Sequence, residues 1–266
     1  KRKLVAVPSG FSDSGMDFGS YSVRPINKQK IAVLSGSGTS SLSFGEIWHF
    51  FETELNYPLT VLNTDYFSSV DLSNYDVLIF PEGYYSSAVN SSGLQKIMKF
   101  TRNGGTVITI GSAMNSFAGK KGMSLKRKEF DKEEKTPNLT PYAEQGRESA
   151  KSLIAGAIFK SKVDNTHPLA FGYSNTYFTL KRSSTAFDYL PNGNVAYLEE
   201  DATAISGFAG EKVLEKLPST LIFGEERKGR GSFVYFVDNP LFRSFWDNGK
   251  LFFTNAVFLL NSDKLK

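Results

Sequence analysis

Short apolar runs separated by polar loops dominate the first half of the chain. Four of these runs have the length and composition of strands, and the first has the look of a buried parallel strand that opens into a loop. Apolar residues at helical spacing predict a helix from about residue 43 to residue 55 and another over residues 92–103, which Gly104 and Gly105 terminate. This order of elements predicts a doubly wound, mostly parallel α/β sheet. The predicted strands cover residues 31–34, 58–62, 76–80 and 106–110.

The second half of the chain is richer in strand patterns and predicts a strand-rich C-terminal elaboration of the sheet. We interpret residues 225–231 as a hairpin-like link between the last two strands, and residues 250–260 as a closing helix. Because this final strand and helix are typical of the end of a layered sheet, we expect one α/β domain over residues 29–266. The six predicted strands cover residues 157–163, 176–182, 194–199, 203–208, 219–224 and 232–237.

Two segments lack this regular pattern. Residues 1–28 contain scattered Pro and Gly without periodicity, which predicts an extended linker or a packed arm. A charged insertion near residues 120–150 mixes both signs, and we interpret it as a solvated, mobile loop rather than an interaction tail. The chain begins at Lys1 rather than Met, so we expect a processed protein or a piece of a longer one.

Composition excludes several classes of protein. The net charge of +4 is mild and no clustered basic face is visible, so we predict no nucleic-acid partner. No apolar run approaches the roughly 20 residues of a membrane span. The absence of cysteine excludes disulfides, thiolate nucleophiles and Cys-ligated zinc. The oligomeric state has no signature in the sequence.

Two histidines and a glutamate form a candidate metal pattern. His49 and Glu52 have HxxE spacing, and His167 is the second of the two histidines. Two His and one Glu are a known zinc-ligand set of peptidases. His49 and Glu52, however, lie in an amphipathic helical pattern, which favours a hydrogen-bonded histidine and a surface glutamate. We therefore predict no metal or cofactor and keep these three residues as the alternative zinc site.

The Gly-Ser loop at residues 35–41 follows the first strand and leads into a helix, where anions often bind. It matches neither GxGxxG with a following acidic residue nor GxxxxGK[ST]. The sequence therefore favours tight turns and helix capping over nucleotide binding.

Residues at the carboxyl ends of the strands are the candidates for a binding crevice, because ligands of open α/β sheets lie there. We expect Glu82 to be a buried carboxylate with a raised pKa. Ser112 is a candidate nucleophile, but the local sequence places no base beside it. The alternatives are a small-molecule site, a structural turn and a Ser112 hydrolase. The crevice candidates are Ser35, Gly36, Glu82, Gly83, Tyr84, Gly111, Ser112 and Met114.

Two segments carry a resemblance to a known family. They are Glu46 to Phe51, and Asp238 to Trp246 with the pattern Asp-Asn-Pro-x-Phe-Arg-x-Phe-Trp. With these segments, the chain resembles the C-terminal class I glutamine-amidotransferase-like domain of large bacterial zinc carboxypeptidases. Further matching stretches are residues 7–10, 19–24, 30–62, 165–172 and 229–255.

The resemblance implies a flavodoxin-like fold that has lost the amidotransferase chemistry. The catalytic cysteine of that family would align with Gly111 or Ser112, and its oxyanion-binding loop with Gly83. The implied partner is a preceding carboxypeptidase domain that carries the zinc site and the proteolysis, in an exported, extracytoplasmic protein. This domain would then be a non-catalytic accessory that packs on the peptidase module or assists it. The interface candidates are Phe242, Arg243, Phe245 and Trp246.

Overall fold

A mixed sheet of ten strands forms the centre of the molecule in the computed structural model, which describes residues 5–20, 23, 26–129 and 139–260. The first four strands lie close to the predicted positions, and the boundaries differ by up to two residues. In chain order the strands are β1 (Ile31–Ser35), β2 (Thr60–Asn63), β3 (Val77–Phe80), β4 (Thr106–Ile110), β5 (Ile154–Val163), β6 (Thr176–Lys181), β7 (Asn194–Leu198), β8 (Ala204–Ala209), β9 (Thr220–Lys228) and β10 (Gly231–Phe236).

The described helices are mostly short. The side chain of Ser40 caps the first by accepting a hydrogen bond from the Ser43 amide at 3.4 Å. The helices are α1 (Ser41–His49), which continues as a π-helical turn (Phe50–Leu55), α2 (Ser91–Arg102), α3 (Tyr142–Lys151), α4 (Glu211–Leu214) and α5 (Asp247–Phe258), and 3₁₀ turns lie at Thr64–Ser69, Leu72–Asn74, Gly111–Ser116, Pro168–Ala170 and Phe242–Ser244.

The strand order of the parallel part is that of a flavodoxin-like sheet. The whole sheet runs β2-β1-β3-β4-β10-β9-β7-β5-β6, with β8 paired to β5. All pairings from β2 to β10 are parallel, and those from β10 to β6 are antiparallel. The first five positions repeat the 2-1-3-4-5 order of flavodoxin, with β10 in the fifth place. The fold is therefore α/β with a mixed sheet, and its parallel part consists of β1 to β4 together with β10.

Alternate residues of the parallel strands face two separate cores. On one face, Val33 and Ile79 pack with Phe51 of the π-helical turn and Phe253 of α5. On the other face, Leu34 and its neighbours pack with side chains of α2. Because both faces of β1 and β3 are buried, these strands are nearly continuous apolar runs, whereas the edge strand β2 is mostly exposed.

The antiparallel half curls until β6 reaches the end of β10. The ammonium nitrogen Nζ of Lys181 lies 3.2 Å from Oδ1 of Asp238, which directly follows β10 and Val237. The hydroxyl of Thr179 donates to Oδ2 of the same carboxylate at 2.7 Å. The carboxyl ends of β6 and β10, which are far apart in the sheet order, thus lie next to each other.

Two predictions about local structure were wrong. Residues 225–228 continue β9, so the link to β10 is the short turn at Gly229 and Arg230. The charged insertion contains α3, and Leu125 within it is fully buried, so its described part is not simply a solvated loop. The prediction of mobility at residues 130–138 lies outside the described residues.

The N-terminal arm is exposed rather than packed over the residues that the structure describes. Phe11 is 86% exposed and Phe18 is 61% exposed. A hydrogen bond from the Phe18 amide to the Gly10 carbonyl gives the arm a local turn. None of the helices within the described ranges is long and apolar enough to cross a membrane.

Candidate functional site

A cavity of about 180 Å³ opens beyond the carboxyl ends of β3, β4, β6 and β10. Every one of these strands contributes a polar side chain from the loop that follows it. Backbone or side-chain atoms of hydroxyl, amide and charged residues make up most of the wall. The lining residues are Glu82, Tyr84, Gly111, Ser112, Asn115, Leu180, Arg182, Ser183, Thr185, Val237, Asp238, Asn239 and Phe242.

Glu82 is the carboxylic acid in the wall next to the turn after β4. Its backbone is fixed by α1, because its amide donates to the Ser43 hydroxyl at 3.0 Å and its carbonyl accepts from the Ser40 amide at 2.8 Å. Burial raises the pKa of the Glu82 carboxyl, and the nearby charge of Arg182 opposes that shift. The sequence prediction of a carboxylate with a raised pKa agrees with this environment.

The turn after β4 leaves no room for a nucleophile at its first residue. Gly111 has a left-handed φ of +54°, the type of conformation that a strained strand-to-helix turn requires. A β-carbon on Gly111 would lie 2.9 Å from Cγ of Glu82. The carboxylic side chain therefore occupies the space that a nucleophilic side chain would need.

Ser112 has its hydroxyl engaged by the protein itself. The Gly83 amide donates to the Ser112 Oγ at 2.9 Å. This amide belongs to the loop that the sequence resemblance assigned to oxyanion binding, so the hydroxyl takes the place of an oxyanion. The neighbouring Asn115 side chain donates to the Ser112 carbonyl at 3.2 Å and positions the turn rather than activating the hydroxyl.

Four of the predicted crevice residues do not line this cavity, namely Ser35, Gly36, Gly83 and Met114. Ser35 and Gly36 lie at the point between β1 and β3 where the strand order reverses, and the loops there are joined across that gap. The Tyr84 amide donates to the Gly38 carbonyl at 2.8 Å, and Thr39 pairs with Gly83 in an isolated bridge. The fourth residue, Met114, is fully buried in the core.

Arg182 and Asp238 are cavity residues that the sequence did not reveal. Arg182 follows β6 and its guanidinium lies 4.4 Å from the ring centroid of Phe242. Asp238 follows β10 and pairs with Lys181. Both strands were predicted, but their place beside β4 depends on the curl of the sheet, which has no local sequence signal.

The predicted interface residues form a strained turn at the mouth of the cavity. Phe245 is 60% exposed, whereas Phe242 and Trp246 are half-buried. Arg243 and the following Ser244 both have left-handed φ values, of 49° and 57°. A turn with two such residues is costly unless it is held in place.

Glu46 of α1 holds that turn. Its Oε1 accepts the Arg243 amide at 2.7 Å, and its Oε2 accepts the Asn239 side-chain amide at 2.6 Å. The two segments that carry the family resemblance, in α1 and after β10, are therefore joined directly through one carboxylate. Their structural role is to shape the mouth of the cavity.

The three residues of the alternative zinc site have separate partners. His49 lies 3.8 Å from Glu54, and Glu52 accepts a hydrogen bond from the Trp48 indole. His167 Nε2 lies 3.1 Å from Glu225. Within the described ranges, no three His, Cys, Asp or Glu side chains are grouped to hold a metal.

His167 belongs to a second, structural cluster. Its Nδ1 accepts the Leu169 amide at 3.1 Å while Nε2 faces Glu225, so both ring nitrogens are engaged. The Ser232 hydroxyl also donates to Glu225. A catalytic triad places the histidine between the hydroxyl and the carboxylate, whereas here the carboxylate is between them. The cluster stabilises two buried strands rather than a nucleophile.

Comparison with solved structures places the fold among amidotransferase-like proteins. A protein from Parabacteroides merdae described as ThuA-like has a TM-score of 0.54 at 12% identity, over 85% of this chain and 88% of its own. A ThuA-like protein from Bacteroides uniformis gives 0.50 at 12% identity, over 94% of each chain. A Thermoplasma acidophilum protein described as part of GMP synthase gives 0.51 at 11% identity, over 88% of this chain and 94% of its own.

These likenesses show the fold, an α/β flavodoxin-like sheet shared with ThuA-like proteins and with the GMP synthase component. They do not connect the chain to carboxypeptidases. The chain also spans 30% of the length of a β-galactosidase from Bacillus circulans sp. alkalophilus, at 14% identity and a TM-score of 0.49. No protein-family model matches the sequence, and no curated protein is similar to it.

Proposed function

We propose that this chain is a non-catalytic domain with an amidotransferase-like fold. The supporting observation is the state of the turn after β4. Gly111 leaves no space for a nucleophile beside Glu82, and the Gly83 amide is hydrogen-bonded to the Ser112 hydroxyl. A hydrolase needs a nucleophile, a base and free oxyanion donors, and His167 is engaged in another cluster.

A direct assay tests the proposed absence of glutaminase and hydrolase activity. The purified chain is incubated with L-glutamine and, separately, with p-nitrophenyl acetate, and release of ammonia or nitrophenol is measured. We expect no turnover above that of the Ser112→Ala variant. Turnover in the native chain that this variant lacks would establish a Ser112 hydrolase instead.

The role we propose for this domain is that of an accessory to a zinc carboxypeptidase-type peptidase, carried by a preceding domain of the same polypeptide in an extracytoplasmic protein. The basis is the sequence resemblance at Asp238 to Trp246, together with the exposure of Phe245. We also propose that the antiparallel half, β5 to β9, is the elaboration added to the parallel sheet. The accessory domain would pack on the peptidase module through the turn that contains Phe245.

Peptide mapping of the native polypeptide tests whether this domain follows a peptidase domain in the same protein. We expect an upstream peptidase sequence with its own His-x-x-Glu and a C-terminal amino-acid release that a zinc chelator abolishes. In that polypeptide, Phe245→Asp should increase proteolysis between the domains, whereas Tyr66→Asp, at a residue that is 69% exposed, should not. A native polypeptide without a peptidase segment would refute the accessory role and leave the non-catalytic fold intact.

A second candidate function is small-molecule binding in the cavity. It is favoured by the convergence of Glu82, Arg182, Asp238 and several hydroxyl groups on one open cavity. This function does not depend on the identity of the parent protein. Chemical shifts of the Ser112 and Asn115 amides, followed while a panel of small anions, amines and polyols is added, would detect it.

A further inference from the structure

Arg182 is a cation at the cavity that lacks an anionic partner. Its guanidinium is stacked over the Phe242 ring at 4.4 Å. Among residues 5–20, 23, 26–129 and 139–260, no ion pair or hydrogen bond to the Arg182 side chain is found. Stacking restrains the planar group and leaves its donors free, which is the arrangement that binds carboxylates in a fork.

Neither of the two acidic groups in the cavity wall forms a direct ion pair with Arg182. Asp238 is engaged by Lys181 at 3.2 Å and by the Thr179 hydroxyl at 2.7 Å. Glu82 and Arg182 form no ion pair, and burial favours the neutral form of the Glu82 carboxyl. The cavity therefore combines a cation that has no ion pair with a buried carboxyl group whose pKa is raised.

The remaining wall supplies neutral donors. Ser112 accepts from the Gly83 amide through its oxygen, so its own proton is free to point into the cavity. Ser183 and Thr185 are joined by a hydrogen bond of 3.0 Å and present a hydroxyl group beside Arg182. These groups suit a second oxygen of a bound anion or a ligand hydroxyl.

We propose that the cavity binds a small organic carboxylate, whose carboxylate group pairs with Arg182 and accepts hydrogen bonds from the hydroxyl groups of the wall. This inference rests on the proposed small-molecule function and names its ligand class. The volume of about 180 Å³ corresponds to roughly six water molecules, which matches a compact hydroxy acid.

Binding of this kind is coupled to a proton. The charged and polar groups that face Glu82 are Arg182 after β6, Glu46 from α1, and Asp238 and Asn239 after β10. A bound carboxylate adds a negative charge beside Glu82 and further favours its protonated form. Glu82 therefore takes up a proton when the ligand binds, and the affinity for the ligand falls as the pH rises through the pKa of Glu82.

The test is a titration of the ¹⁵N-labelled chain with three probes: L-lactate, its neutral isostere L-lactamide, and inorganic phosphate. We expect lactate to shift the Gly111, Ser112 and Asn115 amides saturably, with lactamide and phosphate at least tenfold weaker. Arg182→Gln should weaken lactate at least tenfold, while Arg147→Gln, on the surface of α3, should not. Glu82→Gln removes the titrating carboxyl group, so it should bind lactate without the fall in affinity at higher pH.

The alternative results separate the two proposals. Equal binding of lactate and lactamide, unaffected by Arg182→Gln, would overturn the carboxylate class and keep small-molecule binding. Phosphate that binds more tightly than lactate would also overturn it. If neither these probes nor the wider panel of amines and polyols shifts the cavity amides, the small-molecule function itself is wrong.

Discussion

Adding a single methyl group at Gly111 should destabilise the chain, and Glu82 should account for part of the cost. In Gly111→Ala, a residue other than glycine must adopt a φ of +54°, which costs about 1–2 kcal/mol. The new β-carbon would lie 2.9 Å from Cγ of Glu82, well inside the 3.5–4.0 Å that carbon atoms prefer. Moving Glu82 off its rotamer adds about 1 kcal/mol. The expected total is about 2–3 kcal/mol.

A double-mutant cycle separates the two costs. All three of the nearest atoms to a β-carbon at Gly111 belong to Glu82, so Glu82→Ala removes the clash and leaves the backbone cost. The free energies of unfolding are measured in urea by tryptophan fluorescence. We expect a coupling energy of about 1 kcal/mol between Gly111→Ala and Glu82→Ala.

Glu82→Gln is the matched control, because it keeps Cγ in place and should leave the cost of Gly111→Ala almost unchanged. Equal costs of Gly111→Ala in the native chain and in the Glu82→Ala variant would show that no side chain occupies the nucleophile space. That result would remove the main support for a non-catalytic turn.

Three further predictions concern the buried charges. Asp238→Ala leaves the buried Lys181, which is 1% exposed, without its partner and should lower the free energy of unfolding by about 3–5 kcal/mol. Adding Lys181→Met should recover most of that loss. A double variant that is no more stable than the single one contradicts this prediction. His167→Asn keeps an acceptor for the Leu169 amide but removes the donor to Glu225, and should cost about 1–3 kcal/mol in urea unfolding, against little change for the surface variant His49→Asn. Burial alone would raise the pKa of Glu225, but its bond from His167 and nearby cations outweigh burial and hold that pKa below 4.5. A carboxyl group whose pKa is lower in the folded than in the unfolded chain stabilises the fold at pH values above its unfolded pKa. The free energy of unfolding should therefore fall as the pH drops from about 4.5 through the lower pKa of folded Glu225. Glu225→Gln should flatten that decline in acid titrations.

The elements whose residues all lie in the same environment could be predicted from the sequence. β3 is apolar throughout and β4 is β-branched throughout, with buried threonines at Thr106 and Thr109, because both faces of these strands are buried, so composition alone marks them. The end of β9 was missed for the opposite reason. Glu225 and Glu226 resemble a polar link, yet their carboxylates are buried against His167 and Lys228 within the strand. A local pattern does not show partners that come from distant segments.

The candidate site likewise contains residues that the sequence revealed and residues that it did not. Glu82 and Ser112 were found because strand ends of an α/β sheet are a general place for ligands. Arg182 and Asp238 were not, because they reach the cavity only through the curl that joins β6 to the end of β10. The loop after β1 was also expected at the crevice, but its hydrogen bonds to the loop after β3 close the gap between those two strands.

The position of β10 has a consequence for synthesis of the chain. Thr109 in β4 bonds to the carbonyl of Val234 in β10, and these residues are 125 positions apart. Ribosomes add about 5–20 residues per second, so β4 emerges roughly 6–25 seconds before the strand that covers it. Throughout that interval a fully buried strand of the finished fold is an uncovered sheet edge, the kind of surface that pairs with other chains. The nascent protein should therefore depend on a chaperone until β10 has been synthesised.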